Sequence, residues 1–144
     1  MPIRDEGFGV CARCATIPIM PKTVAELDAE LNRSLQDQRV LDAFETFYAD
    51  EVVMQENSSE PCRGKDANRK RVIDWANAVA ELHAARLVGS AVSGDRAYSE
   101  WEYDVTYKNG VRFKMDEIAV RVWRDGKVAS ERFYWDPAKY PYAL

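Results

Sequence analysis

The 144-residue chain has one histidine, His83, and only three cysteines. One histidine without metal-spaced cysteines argues against a zinc site. An odd and small number of cysteines is no disulfide scaffold and fits a reducing compartment. Cys11-Ala-Arg-Cys14 has redox-type spacing, yet the βαβ context that would follow a thioredoxin-like pair is missing, so no function is expected there. No stretch approaches the roughly 18 consecutive apolar residues of a spanning helix. Arg4, Asp5, Glu6 and Arg13 interrupt any apolar run of the signal-peptide kind. No membrane partner is expected, and the expected location is cytoplasmic. Positive charge is not in excess either: 20 Lys and Arg stand against 24 Asp and Glu, a net charge of -4. Such a surface has no general attraction for nucleic acid or anionic lipid. The run Arg63, Lys65, Arg69, Lys70 and Arg71 reads as a solvated helix face, since no aromatic platform accompanies it.

What is present is apolar and aromatic: 47% of residues are hydrophobic, with Phe 5, Tyr 7 and Trp 4, enough for one domain around one core. Residues 1–19 match no periodic template; 1–22 read as an N-terminal extension, 23–138 as a single α+β domain, and 139–144 as a tail. Thr23-Val-Ala-Glu26 is a capping box, and Val24, Leu27, Leu31 and Leu35 form the apolar stripe of a helix over about 23–37. Val40, Leu41, Phe44, Phe47 and Tyr48 repeat the helical period, which Glu51-Val-Val-Met-Gln-Glu56 replaces with β-rich sequence. After the loop Asn57-Ser-Ser-Glu-Pro61, the residues Val72, Trp75, Ala76 and Val79 make a third helix over about 65–80. From Leu82 to Asp136, the turn signals Ser93-Gly94-Asp95, Lys108-Asn109-Gly110 and Arg124-Asp125-Gly126 separate four antiparallel strands.

The run Phe47-Tyr-Ala-Asp50-Glu51-Val-Val-Met54-Gln-Glu56-Asn, then Pro61-Cys-Arg-Gly64-Lys-Asp66-Ala67, resembles the opening of the nuclear transport factor 2-like superfamily. The ending Val122-Trp-Arg-Asp125-Gly126-Lys127-Val128, then Glu131-Arg-Phe-Tyr-Trp-Asp136, is similar to its SnoaL-like polyketide cyclase branch. The resemblance covers about residues 23–136. It implies an α+β cone: a strongly curved, mostly antiparallel sheet wrapped around three N-terminal helices, with a pocket at the open end and a homodimer through the sheet. Its members include ketosteroid isomerase, limonene epoxide hydrolase, scytalone dehydratase, polyketide cyclases and non-catalytic binding proteins, so the fold alone does not choose a function.

Turn geometry decides which side chains face the pocket, because directly opposed residues of an antiparallel ladder share a face. Two-residue turns at Asn109-Gly110 and Asp125-Gly126 would group Trp101 and Tyr103 with Asp116, Ile118, Phe133 and Trp135. A bulge at each glycine would instead group Trp101 and Tyr103 with Met115, Glu117, Ala119, Glu131, Phe133 and Trp135. The resemblance favours the bulged register, hence Glu117 over Asp116. Ile118, Val120, Val122, Val128 and Tyr134 would then form an outer apolar strip that needs a partner, which supports the homodimer.

By the same resemblance, Glu56 falls where ketosteroid isomerase carries its general base, and Glu117 near its neutral acid donor. A carboxylate in an apolar mouth is poorly solvated and can shuttle a proton, while a protonated carboxyl can donate to a developing oxyanion. The isomerase's tyrosine donor matches Leu31 or Asn32, so Tyr103 is the candidate replacement. The epoxide hydrolase's residues match Met54, Glu56, Trp101, Tyr103 and Phe133, which argues against that mechanism. The expected catalytic set is Glu56, Glu117 and Tyr103, and the expected substrate contacts are Met54, Trp101, Met115, Phe133 and Trp135. His83, where alternation leaves the face open, is a further candidate contact. The expectation is a cofactor-free proton-transfer enzyme on a hydrophobic small molecule, with a non-catalytic binding module as the alternative.

Overall fold

The computed structural model describes residues 17–139; the Cys11 and Cys14 pair lies outside the described residues. Helix α1 spans Val24–Gln36 and α2 spans Val40–Phe47; strand β1 (Tyr48–Glu56) follows directly. A short β2 (Cys62–Arg63), helix α3 (Lys65–Ala78) and strands β3 (Val79–Ser93), β4 (Arg96–Tyr107), β5 (Arg112–Arg124) and β6 (Lys127–Trp135) complete the order. The six strands form one curved, unclosed sheet in the order β2-β1-β6-β5-β4-β3, antiparallel except where β1 runs parallel to β6. No helix among the described residues is long and apolar enough to cross a membrane.

Local chemistry sets the helix ends. Thr23 and Glu26 close the capping box reciprocally: Thr23 N–H donates to the Glu26 carboxylate at 2.7 Å, and Glu26 N–H donates to the Thr23 hydroxyl at 3.2 Å. At the start of α3, the buried Asn68 amide donates to the carbonyls of Gly64 (2.9 Å) and Cys62 (3.0 Å), so α3 is pinned against the β1–β2 hairpin. Val79, expected on the helix, leaves it to open β3.

Two different devices set the register of the inner face. Between β4 and β5, Gly110 takes φ +87° and donates to the Tyr107 carbonyl, while Tyr107 N–H donates to the Val111 carbonyl. This is the glycine-bulged turn, and it opposes Trp101 to Glu117 and Tyr103 to Met115. Between β5 and β6 the expected glycine bulge is absent. Asp125 (φ +49°) and Gly126 (φ +74°) both lie in the left-handed region, as a two-residue type I′ turn requires. The extra residue comes later, at Ala129, since Trp123 opposes Val128 whereas Val122 opposes Ser130. Beyond it Arg121 faces Glu131, Ala119 faces Phe133 and Glu117 faces Trp135.

The displaced bulge corrects one expectation. Val128 precedes it and points inward, fully buried in the core with Leu31, Phe44, Phe47, Val52 and Trp123, and takes no part in the outer strip. Ile118 and Tyr134 stay on that strip, 38% and 42% exposed. Val128→Thr, nearly isosteric, is therefore expected to lower stability by about 1–3 kcal/mol in urea unfolding, because a hydroxyl would be buried in an apolar cluster. An unchanged midpoint would return Val128 to the outer face.

Candidate functional site

The wide end of the cone holds a cavity of about 750 Å³ between the inner sheet face and the helices. Glu56, Glu117 and Tyr103 all line it, as do Met54, Trp101, Met115, Phe133 and Trp135. His83 does not. A β-bulge between Leu82 and Ala84 breaks the alternation of β3, so that Leu82 and Ala85 reach the cavity. His83 lies instead against Thr106 (2.7 Å to Oγ1) and Glu81 (3.3 Å).

Glu117 sits in the middle of the aromatic wall, flanked across the ladder by Trp101 and Trp135. It is 8% exposed, and its carboxyl has no hydrogen-bond partner among the described residues. Burial, then the nearby charges of Glu56 and Glu131, push its pKa up to about 8, against the opposing pull of Arg121. The group therefore keeps its proton at neutral pH. Burial, followed by the charge of Glu117, also raises Tyr103 well above the ordinary phenol range, so its hydroxyl stays neutral. The Tyr103 ring stacks on Trp101, with centroids 5.7 Å apart and planes 14° from parallel. The Trp101 indole N–H is buried with no hydrogen-bond partner among the described residues.

Glu56 ends β1 near the rim, and both its oxygens are engaged. Arg71 of α3 donates to Oε1 at 3.2 Å and the Trp135 indole N–H donates to Oε2 at 2.8 Å. Arg71 also donates to Asn68 at 3.1 Å, which couples the rim to the pinned start of α3. Elsewhere in the basic run, Lys65 pairs with Glu45, Arg69 with Glu45 and Asp66, and Lys70 with Asp74.

Arg121, Glu131 and Tyr48 line the cavity as the near side of a buried charge cluster for which the sequence alone suggested no role. Arg121, 1% exposed, donates to Glu131 (2.7 Å), Asn32 (2.7 Å) and Asp28 (3.1 Å). Tyr48 donates to the second oxygen of Glu131 at 2.5 Å, and Trp123 donates to Asp28 at 3.1 Å. Burial disfavours the arginine's charge, but Glu131, Tyr48 and Asp28 outweigh it and raise its pKa. Arg121 continues the Met115, Glu117, Ala119 alternation, so its inward direction could be read from sequence. Its partners on α1 could not.

A family comparison agrees with this architecture over almost all the described residues: the SnoaL-like domain matches residues 22–135. The chain belongs to the SnoaL-like family. A candidate SnoaL-like polyketide cyclase from Mesorhizobium loti is 30% identical over 78% of this chain and 99% of its own, with a TM-score of 0.71. A Catenulispora acidiphila protein of ketosteroid isomerase-like fold, solved in complex with trimethylamine, has 13% identity over 81% and 91% of the two chains, TM-score 0.67. TerC, co-crystallised with polyporic acid, has 14% identity over 81% and 94%, TM-score 0.68. The last two likenesses concern the fold alone. No curated protein matches the sequence. Among the described residues, no group of three or more His, Cys, Asp or Glu side chains is placed to hold a metal ion.

Proposed function

We propose that this SnoaL-like chain is a cofactor-free proton-transfer enzyme of the isomerase, cyclase or dehydratase type, acting on a hydrophobic small molecule in the cone. The observation that carries this reading is Glu117: a buried carboxyl that holds its proton at neutral pH, has no hydrogen-bond partner among the described residues, and lines an apolar cavity. Such a group is a ready general acid. Glu56 in the same cavity is the base, and the neutral Tyr103 hydroxyl is a second donor. Met54, Trp101, Met115, Phe133 and Trp135 contact the substrate. Proton transfer by positioned side chains contributes on the order of 10²–10⁴ in rate. A homodimer through the strip carrying Ile118 and Tyr134 belongs to the same proposal.

The test combines a carboxyl-carbon NMR titration with turnover. Glu117 is expected to titrate near 8, and Glu56→Gln is expected to cost about 10²–10⁴ in kcat with ligand binding retained. A Glu117 midpoint in the ordinary carboxylate range would remove the acid. One observation favours the non-catalytic module: both Glu56 oxygens already have donors. Ligand binding without turnover in the unaltered chain would select that reading, whereas turnover unchanged by Glu56→Gln would remove Glu56 as the base.

A further inference from the structure

The charge distribution around the cavity bears on what kind of substrate charge it can stabilise. At the wall, one cation, Arg121, lies between two carboxylates, Glu131 beside it on the cavity and Asp28 behind it. At the rim, Arg71 is paired with Glu56, and Asp74 with Lys70. Both cations that line the cavity are thus already committed, and the buried balance is one negative charge in excess. Glu117 adds a second whenever it gives up its proton. The walls add aromatic rings, among them Tyr103, Phe133 and Trp135, whose faces attract cations. An oxyanion would meet the hydroxyls of Glu117 and Tyr103, would not reach the buried Trp101 N–H, and would be repelled by the Glu131 side.

We propose that the charge developing on the substrate in this cavity is positive, and that the reaction is an acid-initiated dehydration or cyclisation of an uncharged, alcohol-bearing hydrophobic substrate. The inference rests on the proton-transfer reading of Glu117 and Glu56 and adds the sign of the charge between the two transfers. Glu117 gives its proton to the substrate hydroxyl; the C–O bond breaks, its electron pair leaves with water, and a cationic carbon remains. The aromatic faces, the Glu117 carboxylate and the Glu131 side chain stabilise that carbon, while Asp28, behind the cavity wall, offsets the charge of Arg121. Glu56 then takes a proton from the adjacent carbon, whose C–H electrons close the double bond. In a cyclisation, a substrate alkene first attacks the cation and Glu56 removes the proton from the ring so formed. The substrate loses water, Glu117 ends ionised and Glu56 protonated, and solvent at the rim restores both.

A stable cation should mimic the intermediate. Choline and its uncharged isostere 3,3-dimethylbutan-1-ol, with 4-nitrophenolate as the anion, can be titrated against the intact chain by tryptophan fluorescence between pH 6 and 9. Choline is expected to bind at least about tenfold more tightly than the isostere at pH 9. Its affinity is expected to weaken as pH falls below about 8, approaching tenfold per unit, because Glu117 must lose its proton to pair with it. Glu117→Gln should flatten that dependence, which a purely aromatic contact would not do. The groups around Glu117 are Glu56 on β1, Tyr103 on β4, Arg121 on β5 and Glu131 on β6, with Arg71 and Asp74 of α3 also lining the cavity. The inference is overturned if at pH 9 the isostere or the phenolate binds as tightly as choline, or if choline affinity is flat with pH in the unaltered chain. A Glu117 carboxyl that still titrates near 8 in those samples leaves the proton-transfer reading standing and removes only the sign of the charge. A Glu117 that titrates in the ordinary carboxylate range removes both.

Discussion

Arg121→Met is expected to destabilise the fold by about 3–5 kcal/mol, the usual cost of deleting one partner from a buried ion pair. Methionine replaces the volume of the arginine stem but none of its donors, leaving Asp28 and Glu131 facing each other inside the cone. Tyr48, Trp123 and Asn32 still reach those carboxylates, but they satisfy single oxygens and bring no positive charge. The measurement is the urea midpoint at pH 7, with the slope checked for two-state behaviour. Adding Asp28→Asn and Glu131→Gln to Arg121→Met should recover a large part of the loss, because it removes the uncompensated charges along with their partner. A loss below about 1 kcal/mol for the single variant would mean that the cluster is hydrated, as surface pairs are.

The second large effect is the dependence of stability on pH through Glu117. Its carboxyl ionises near the ordinary value of 4.5 in the unfolded chain and near 8 in the fold. Its contribution is therefore complete below pH 4.5, is lost progressively as the pH rises towards 8, and is level beyond. A difference of about three and a half units corresponds to about 5 kcal/mol at about 1.4 kcal/mol per unit. Glu117→Gln keeps the shape and cannot ionise. The variant should match the parent chain near pH 4 and exceed it by several kcal/mol at pH 9. The carboxylates Glu26, Glu45 and Asp104, whose pKa values hydrogen bonds from Thr23, Arg69 and Arg112 lower, act in the opposite sense. They are common to both proteins and cancel in the comparison. Parallel curves for the two proteins from pH 4 to 9 would show that Glu117 is solvated.

Both effects come from one face of the sheet, and that face was largely legible. Alternation from Trp101 to Tyr103 and from Met115 to Ala119 is regular, and only the choice between turn types separated Glu117 from Asp116. The family's resemblance made that choice, and the Gly110 bulge is the structural device behind it. The β5–β6 hairpin reached the same register by a different route, so Glu117, Phe133 and Trp135 were grouped correctly although Asp125-Gly126 is a two-residue turn. Val128 exposed the difference, because it lies on the turn side of the true bulge. His83, whose face alternation left open, sits at a bulge, where period-two reasoning gives no direction, and lies outside the cavity lining.

The sequence by itself determined the element order, the capped start of α1, the four-strand meander and the aromatic, carboxylate-bearing face, because helical and strand periods and turn chemistry act over a few residues. Only the tertiary structure decided that the bulge falls at Ala129 and that Arg121 lies between Asp28 and Glu131. It alone also decided that Glu56 is held by Arg71 and Trp135. Those contacts join residues from different elements, and charge pairing and burial depend on distance in space. The proton on Glu117 is the clearest case, since its retention depends on desolvation and on the charges of Glu56 and Glu131, which reach it only when the sheet curves around the cavity.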